Sequence, residues 1–276
     1  MNINISRTSG EMAQRAAACA AQAINRTIAQ NGEARILLST GESQIEAIRY
    51  LTEMEVEWDK VVMFHLDEYI NLAETHKASF RKYLKERFIQ VVNPKKAYLV
   101  NGEGNVEENI ATLTEELEKA PIDVALVGIG ENAHIAFNDP PADFETDKAY
   151  IIVNLDQTCK QQQVNEGWFG SLDEVPAQAI SMTVPQILKS RTIVTIVPGI
   201  RKGDAIPVSY THLMPQILKS RTIITIVPGI RKSDAIQKTL SAETVTNLVP
   251  ATILKTHPDW NLFLDGDSAS KAIPQV

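Results

Sequence analysis

The chain has 276 residues, with 34 acidic and 27 basic side chains, a formal net charge of −7 and a calculated pI of about 5.4. Hydrophobic residues make up 44% of it, which is enough for the core of one large α/β domain. The acidic balance argues against a nucleic-acid partner, which usually needs a clustered basic face. The acidic balance does not argue against binding of a small anion, because one phosphate needs only a local group of hydrogen-bond donors.

Cysteine usage and the N-terminus both point to the cytoplasm. The two cysteines, Cys19 and Cys159, lie far apart and lack metal-ligand spacing, so we expect neither a disulfide framework nor a metal site. The apolar run at residues 16–21 is too short for a secretory signal, and no stretch approaches the roughly 18 apolar residues of a membrane span. We therefore expect a cytoplasmic protein without a membrane partner.

The predicted elements alternate along the chain. Thr8 and Glu11 form a capping box at the start of a first helix, whose apolar pattern runs through Ile24 and Ile28. A strand at 35–38, a helix at 43–54, a strand at 61–64, helices at 79–90 and 106–119 and a strand at 123–127 follow. This alternation predicts a single α/β domain over residues 1–276, with a doubly wound, mostly parallel sheet and helices on both faces.

Residues 185–206 and 215–236 are near-identical copies that lie 30 residues apart. They differ only at Val194 against Ile224 and Gly203 against Ser233. Two copies are too few for a solenoid, which needs at least about three units. Because a doubly wound sheet has one place for this strand, we predict that one copy is supernumerary, from a recent duplication or a chimeric reading of the DNA. A helix can continue after Ser233, whereas Pro207 would stop one after the first copy, so the second copy is expected to be the working one.

Two polar segments follow the first predicted strands, where an open parallel sheet binds its ligands. Ser39, Thr40, Gly41 and Ser43 could hold a phosphate through hydroxyls and the N–H groups of a helix start; the alternative is an ordinary turn capped by Ser43. Asp67 and Glu68 follow the next strand, and only one of two adjacent side chains in an extended segment can face the site. A partly desolvated carboxylate there is a candidate general base; the alternative is a solvated loop.

The third segment, residues 128–140, reads GIGENAHIAFNDP. It is not a dinucleotide fingerprint, because Ala133 takes the place of the last glycine. His134 lies between Asn132 and Asp139, which favours an imidazole whose orientation is fixed for acid/base chemistry. The alternative is a structural histidine.

The segments STGES, FHLDEY, GIGENAHIAFNDPP and PGIRK, in this order, resemble the glucosamine-6-phosphate deaminase family and its 6-phosphogluconolactonase relatives. The deaminase branch is the better fit. The resemblance implies conversion of glucosamine 6-phosphate to fructose 6-phosphate and ammonia, without a metal or organic cofactor. It also implies a role for each matching residue: proton transfer between C2 and C1 for Asp67, ring opening for His134, a polar cradle in the loop that contains Gly128 and Gly130, and phosphate binding by Thr40, Gly41, Ser43 and Lys232, or its double Lys202.

The chain also departs from that family. Asn132 stands where the better-known deaminases have Asp, Asp139 stands in place of Glu, and Lys160 is the nearest cation to the position of a phosphate-binding Arg. Two other functions are therefore kept: a hydrolase of a sugar-phosphate lactone, and a catalytically weak regulator that binds a sugar phosphate. The oligomeric state is left open, a homo-oligomer included.

Overall fold

The computed structural model describes residues 2–6, 8–41, 44–128, 135–139, 142–196, 222–227, 233–244, 260–265 and 270. The helices are α1 (Ser9–Asn31), α2 (Ile45–Thr52), α3 (Phe80–Leu84), a π-helical turn (Lys85–Ile89) that continues into α4 (Gln90–Val92), α5 (Val106–Glu118), α6 (Gln157–Asn165), α7 (Val184–Leu188) and α8 (Ser233–Ser241). The strands are β1 (Asn2–Ser6), β2 (Ala34–Leu38), β3 (Val61–His65), β4 (Asp67–Tyr69), β5 (Lys96–Tyr98), β6 (Val124–Gly128), β7 (Tyr150–Asn154), β8 (Gln178–Met182), β9 (Thr192–Ile196), β10 (Thr222–Val227) and β11 (Trp260–Asp265).

The main sheet is open and parallel. Within the described ranges its order is β1-β11-β10-β9-β6-β2-β3-β5, and each neighbouring pair runs parallel. The chain passes from β2 to β3 on one side of the sheet centre and from β6 to β9 on the other. The direction of winding therefore reverses between β2 and β6, and ligands of open α/β sheets bind beyond the carboxyl ends of the strands at such a point. The predicted doubly wound, mostly parallel sheet is confirmed.

Helices cover both faces of this sheet, as predicted. Ile36 and Leu38 of β2 belong to a core that includes residues of α1, α2 and the π-helical turn. Leu37, between them, belongs to a second core that includes residues of α5 and α7. Because successive side chains of a strand point to opposite faces, one strand supplies both cores. Residues of β2 and β3 are buried along their whole length.

The N-terminal helix begins directly after the predicted cap residue, Thr8. The Thr8 hydroxyl accepts a hydrogen bond from the N–H of Glu11 at 3.2 Å. The helix ends at Gly32, whose φ of 78° is left-handed, and the Gly32 N–H closes the last turn on the carbonyl of Ile28. Among the helices that the structure describes, none combines the length and the apolar character needed to cross a membrane.

Buried Arg35 fastens α5 to the sheet. Its guanidinium donates hydrogen bonds to the carbonyl oxygens of Glu116, Leu117 and Ala120 at the end of α5. The carboxylate of Asp123 accepts from the Arg35 N–H at 2.8 Å. Burial is the largest influence on the pKa of Arg35 and lowers it, while Asp123 acts in the opposite direction. A cation at a helix C-terminus satisfies carbonyls that have no partner within the helix.

A second, three-stranded antiparallel sheet has the order β4-β8-β7. The sequence pattern does not predict it, because residues 65–69 look like the polar end of one strand. The chain changes sheet at Leu66. Its N–H donates to the carbonyl of Leu38 in the main sheet at 3.1 Å, and its carbonyl accepts from the N–H of Met182 in β8 at 3.0 Å.

Each copy of the duplicated segment contributes one strand to the main sheet. β9, from the first copy, pairs with β6, and β10, from the second, pairs with β11. The two strands also pair with each other in the register of the repeat, with Thr222 opposite Thr192 and Ile226 opposite Ile196. The sheet thus holds both copies, where the sequence suggested one place. That one copy is dispensable stays a prediction.

Candidate active site

The turn after β2 lies at the point where the winding of the sheet reverses. The Ser39 N–H donates to the carbonyl of Leu126 in β6 at 3.2 Å, which holds the turn against the strand that ends at Gly128. The hydroxyls of Ser39 and Thr40 are buried and have no hydrogen-bond partner in the part of the chain that the structure describes. A buried hydroxyl without a partner is costly, so this turn suits a ligand that offers hydrogen-bonding oxygens.

The adjacent carboxylates of β4 have opposite surroundings. The Glu68 carboxylate is fully buried and accepts from the Tyr69 N–H at 2.9 Å, the Ser79 hydroxyl at 2.9 Å and the Arg81 N–H at 2.8 Å, and it forms an ion pair with the Arg81 guanidinium at 3.3 Å. The Asp67 carboxylate makes no hydrogen bond or ion pair within the described ranges, although the residue is only 6% exposed. Glu68 therefore anchors β4, and Asp67 is the carboxylate left for a ligand.

Burial sets the protonation of Asp67. Desolvation, with a smaller contribution from the charge of Glu68, raises the pKa of Asp67 from 3.8 to about 8. A carboxylate with a pKa near the pH at which an enzyme works can accept a proton in one step and release it in the next. Strongly shifted pKa values are concentrated at functional sites, although structural ion pairs also produce them.

His65, the last residue of β3, is a buried neutral imidazole. Burial, with a smaller contribution from Arg81, lowers the pKa of His65 to about 3. Its Nδ1 accepts from the Val100 N–H at 3.3 Å, while its Nε2 has no partner among the described residues. The Tyr150 hydroxyl donates to the His65 carbonyl at 2.8 Å. His65 thus joins the end of β3 to β7 of the second sheet.

The segment that follows the glycine-rich loop forms a tight turn. Ile135 and Asn138 form an isolated bridge, and Ala136 between them has a left-handed φ of 55°. Left-handed backbone in a residue with a Cβ is costly and persists only where surrounding contacts impose it. The Asn138 amide supplies such contacts, since it donates to the carbonyls of Ile135 and Met182, both at 2.8 Å.

Asp139 contacts the start of α6. Its carboxylate accepts from the N–H of Asp156 at 3.3 Å, and Asp156 in turn caps α6 by accepting from the Cys159 N–H. The candidate carboxylate beside His134 thus also has a structural contact. The catalytic role assigned to it stays a prediction.

Several predicted site residues lie outside the described residues: Ser43, Gly130, Asn132, His134, Lys202 and Lys232. Five other candidate residues lie in or directly after strands, as predicted: Ser39, Thr40, Gly41, Asp67 and Gly128. Lys160 lies on α6 and lines a groove of about 550 Å³ together with Asn71, Asp173 and Glu174. None of Ser39, Thr40, Gly41 and Asp67 lines that groove, so its geometry gives the predicted phosphate role of Lys160 no support.

No sequence pattern predicts two of the contacts that the candidate site residues make. Arg81, which forms an ion pair with Glu68, lies in a helix that carries no motif. Ser181 lies in a strand that was not predicted and contacts the turn at residues 135–138. Asn138 stands inside a motif that was recognised, but its hydrogen bonds depend on β8. The Asn-Asp-Pro sequence of the turn is the only signal that could have indicated its importance.

The fold is that of an open, doubly wound α/β protein, and polar residues follow the carboxyl ends of its strands β2 and β3. The model of the family described as glucosamine-6-phosphate isomerases/6-phosphogluconolactonase matches residues 7–212. The chain therefore belongs to this family.

Similar proteins support the assignment. Over 259 residues the chain is 30% identical to a glucosamine-6-phosphate deaminase of Thermoanaerobacter pseudethanolicus, covering 91% of this chain and 88% of that protein. A glucosamine-6-phosphate deaminase of Staphylococcus epidermidis is 31% identical over 254 residues, covering 88% and 90%.

Solved structures share the fold. A monomeric glucosamine-6-phosphate deaminase has a TM-score of 0.68 at 24% identity, covering 98% of this chain and 100% of its own. A 6-phosphogluconolactonase of Shewanella baltica has a TM-score of 0.63 at 16% identity, covering 96% and 97%.

Proposed function

We propose that this protein is an enzyme that converts glucosamine 6-phosphate and water to fructose 6-phosphate and ammonia. The observation that carries the proposal is the contrast between Asp67 and Glu68. One carboxylate is fully paired and anchors its strand, whereas the other is buried, without a described partner, and has its pKa raised to about 8. The similarity to curated deaminases over most of both chains supports this substrate and reaction.

The roles divide between proton transfer and binding. Asp67 takes the proton from C2 of the open-chain amino sugar and delivers it to C1, which converts the 2-amino aldose to an imine at C2. Water then adds to this imine and ammonia leaves, which gives the ketose. His134 opens the ring, flanked by Asn132 and Asp139. Gly128 and Gly130 belong to the loop that holds the enolamine intermediate, whose developing charge on the C1 oxygen needs fixed donors. The hydroxyls of Ser39 and Thr40, which are buried without a described partner, support a phosphate site that also includes Gly41, Ser43 and Lys232.

The test is release of ammonia and fructose 6-phosphate from glucosamine 6-phosphate by the wild-type chain and by Asp67→Asn. We expect the variant to lose roughly 10²- to 10⁴-fold in kcat, because that is the usual contribution of a general base. Its affinity for the sugar phosphate should change little, since an amide occupies nearly the same volume. Glu103→Gln is a matched control, because Glu103 is half-exposed and pairs with Arg81 at the edge of the same network.

Other outcomes would contradict the proposal. Hydrolysis of 6-phosphogluconolactone without release of ammonia would indicate the lactonase function of some structural relatives. Thermal stabilisation by glucosamine 6-phosphate without turnover would indicate a sugar-phosphate-binding regulator. An active wild type whose Asp67→Asn variant retains more than about a tenth of the rate would preserve the reaction but remove Asp67 as its base. Cytoplasmic localisation and the oligomeric state stay predictions.

A further inference from the structure

The Ser181 hydroxyl contacts both parts of the candidate site. Ser181 lies in β8 directly opposite Asp67 of β4 and is fully buried. Directly opposed residues of an antiparallel pair present their side chains on the same face of the sheet. The Ser181 side chain therefore lies on the face to which Asp67 points.

The turn at residues 135–138 is held against that same face. The Ser181 hydroxyl accepts from the Phe137 N–H and from the Asn138 amide, both at 3.1 Å, and both hydrogen bonds are buried. The Phe137 ring also packs against Tyr69, with ring centroids 5.2 Å apart. Tyr69 follows Asp67 by two residues and so shares its face. The turn is thus fixed to the strand pair that carries Asp67.

The turn needs such support. Ala136 has its left-handed φ of 55° in the middle of it, and this conformation is unfavourable for alanine unless neighbouring contacts maintain it. His134 and Asp139 stand immediately before and after the turn in the sequence. Residues 135–138 are thus joined covalently to both candidate catalytic residues.

We propose that Ser181 is a positioning residue that holds the turn following His134 in register with Asp67. The expected effect on catalysis rests on the proposed function. The expected effect on the turn at residues 135–138 does not. Ser181 touches neither the substrate nor the reacting atoms in this assignment. It acts by giving the Phe137 N–H and the Asn138 amide a common acceptor on the strand that pairs with Asp67.

Ser181→Ala tests the proposal, with Ser181→Thr as the variant that keeps the hydroxyl. Ser190→Ala is the matched control, because Ser190 is also buried and its hydroxyl has no partner in the described part of the chain. We expect Ser181→Ala to lower kcat roughly 10- to 100-fold, the usual effect of misplacing reacting groups by about an ångström. KM for glucosamine 6-phosphate and inhibition by inorganic phosphate should stay within about twofold, since the turn after β2 is not touched.

A second measurement does not depend on activity. Hydrogen exchange of the peptide that contains residues 135–139 should be faster in Ser181→Ala than in wild type, and unchanged in Ser190→Ala. Ser181→Thr should restore kcat and slow exchange. If Ser181→Ala does not fold, Asn138→Ala replaces it, because it removes the other side of the same contact.

Failure of this inference differs from failure of the proposed function. A wild type that releases no ammonia contradicts the function, and the exchange measurement then decides the inference alone. Unchanged exchange at 135–139 contradicts the inference whatever the activity. If the wild type is active, the inference is also overturned by a Ser181→Ala variant whose kcat is unchanged, or whose KM rises while its kcat falls.

Discussion

At the scale of single residues, the environment of Asp67 decides what it can do. Its neighbour Glu68 forms an ion pair with Arg81, and Arg81 has further partners in Asn101 and Glu103. One carboxylate is thereby held in the structure while the other stays without a described partner. The sequence predicted that only one of the two could face the site, and in the structure Glu68 is the one with structural partners.

The pH dependence of catalysis should follow the charge next to Asp67. If Asp67 acts as a base, kcat/KM rises with pH through its pKa of about 8. Glu68→Gln removes the second cause of that raised pKa, so we expect the rising limb of the pH profile to move to lower pH. Glu103→Gln, which changes a half-exposed partner of the same arginine, should leave the limb in place. A wild-type kcat/KM that does not rise with pH near 8 would contradict the role of Asp67 as the base.

The same carboxylate should lower stability at high pH. Because the pKa of Asp67 is raised from 3.8 to about 8 in the folded protein, the folded state holds this proton more tightly than the unfolded chain does. The stabilising effect of this tighter proton binding is complete below about pH 4 and is lost as the pH rises through about 8.

At about pH 9 the free energy of unfolding of Asp67→Asn should therefore exceed that of wild type by on the order of 2 kcal/mol. The difference should shrink toward about pH 5. Urea unfolding at several pH values measures this. Asp59→Asn, at an exposed position, is the control. A difference that grows as the pH falls would contradict the raised pKa.

At the scale of elements, the three-residue strand β4 is fixed from several sides. It pairs with β8, and its Glu68 side chain is anchored at the start of α3, where Ser79 is the N-cap. The backbone of Gly102 lies against it, because a Cβ added there would fall 2.0 Å from the carbonyl oxygen of Tyr69. The position of Asp67 therefore depends on chain segments far apart in the sequence.

Gly102→Ala should displace β4. No side-chain movement can relieve a clash with backbone, so we expect a loss of about 1–3 kcal/mol in the free energy of unfolding, together with reduced kcat. Thermal unfolding and steady-state kinetics measure the two effects. Gly10→Ala is the control, since its nearest neighbours are 3.7 Å from the added Cβ. Full activity in Gly102→Ala would mean that the strand tolerates the shift without moving Asp67.

At the scale of the whole molecule, the two copies of the repeat give the sheet two neighbouring strands of nearly identical sequence. β9 pairs with β6 through one edge, and β10 pairs with β11 through the opposite edge. Their described strand residues differ only at Val194 and Ile224. One strand could therefore make both pairings. The helix expected after the second copy is present as α8, which begins at Ser233.

Deletion of residues 185–214 should give a chain that is soluble, unfolds cooperatively and is at least as active as the full chain. Val184 would then precede Pro215, which reproduces its own junction with Pro185. Circular dichroism during urea unfolding and the ammonia assay measure the outcome. An insoluble deletion variant beside an active full chain would show that the extra strand is part of the fold.

Local sequence determined the order and type of most elements. Alternating apolar strands and capped helices predicted a doubly wound sheet, and polar residues after those strands predicted a site at its carboxyl edge. Extended backbone geometry predicted that the adjacent carboxylates of Asp67 and Glu68 point in opposite directions, without saying which of them has structural partners.

Tertiary structure decided what those local signals could not. β4 is three residues long, and such a strand exists only because β8 pairs with it from more than a hundred residues away. The raised pKa of Asp67 comes mainly from burial, which depends on the packing of several elements. The hydrogen bonds of Ser181 with the turn at residues 135–138 likewise join distant parts of the chain. A sequence shows which groups are available, whereas distances and desolvation arise only when separate segments pack together.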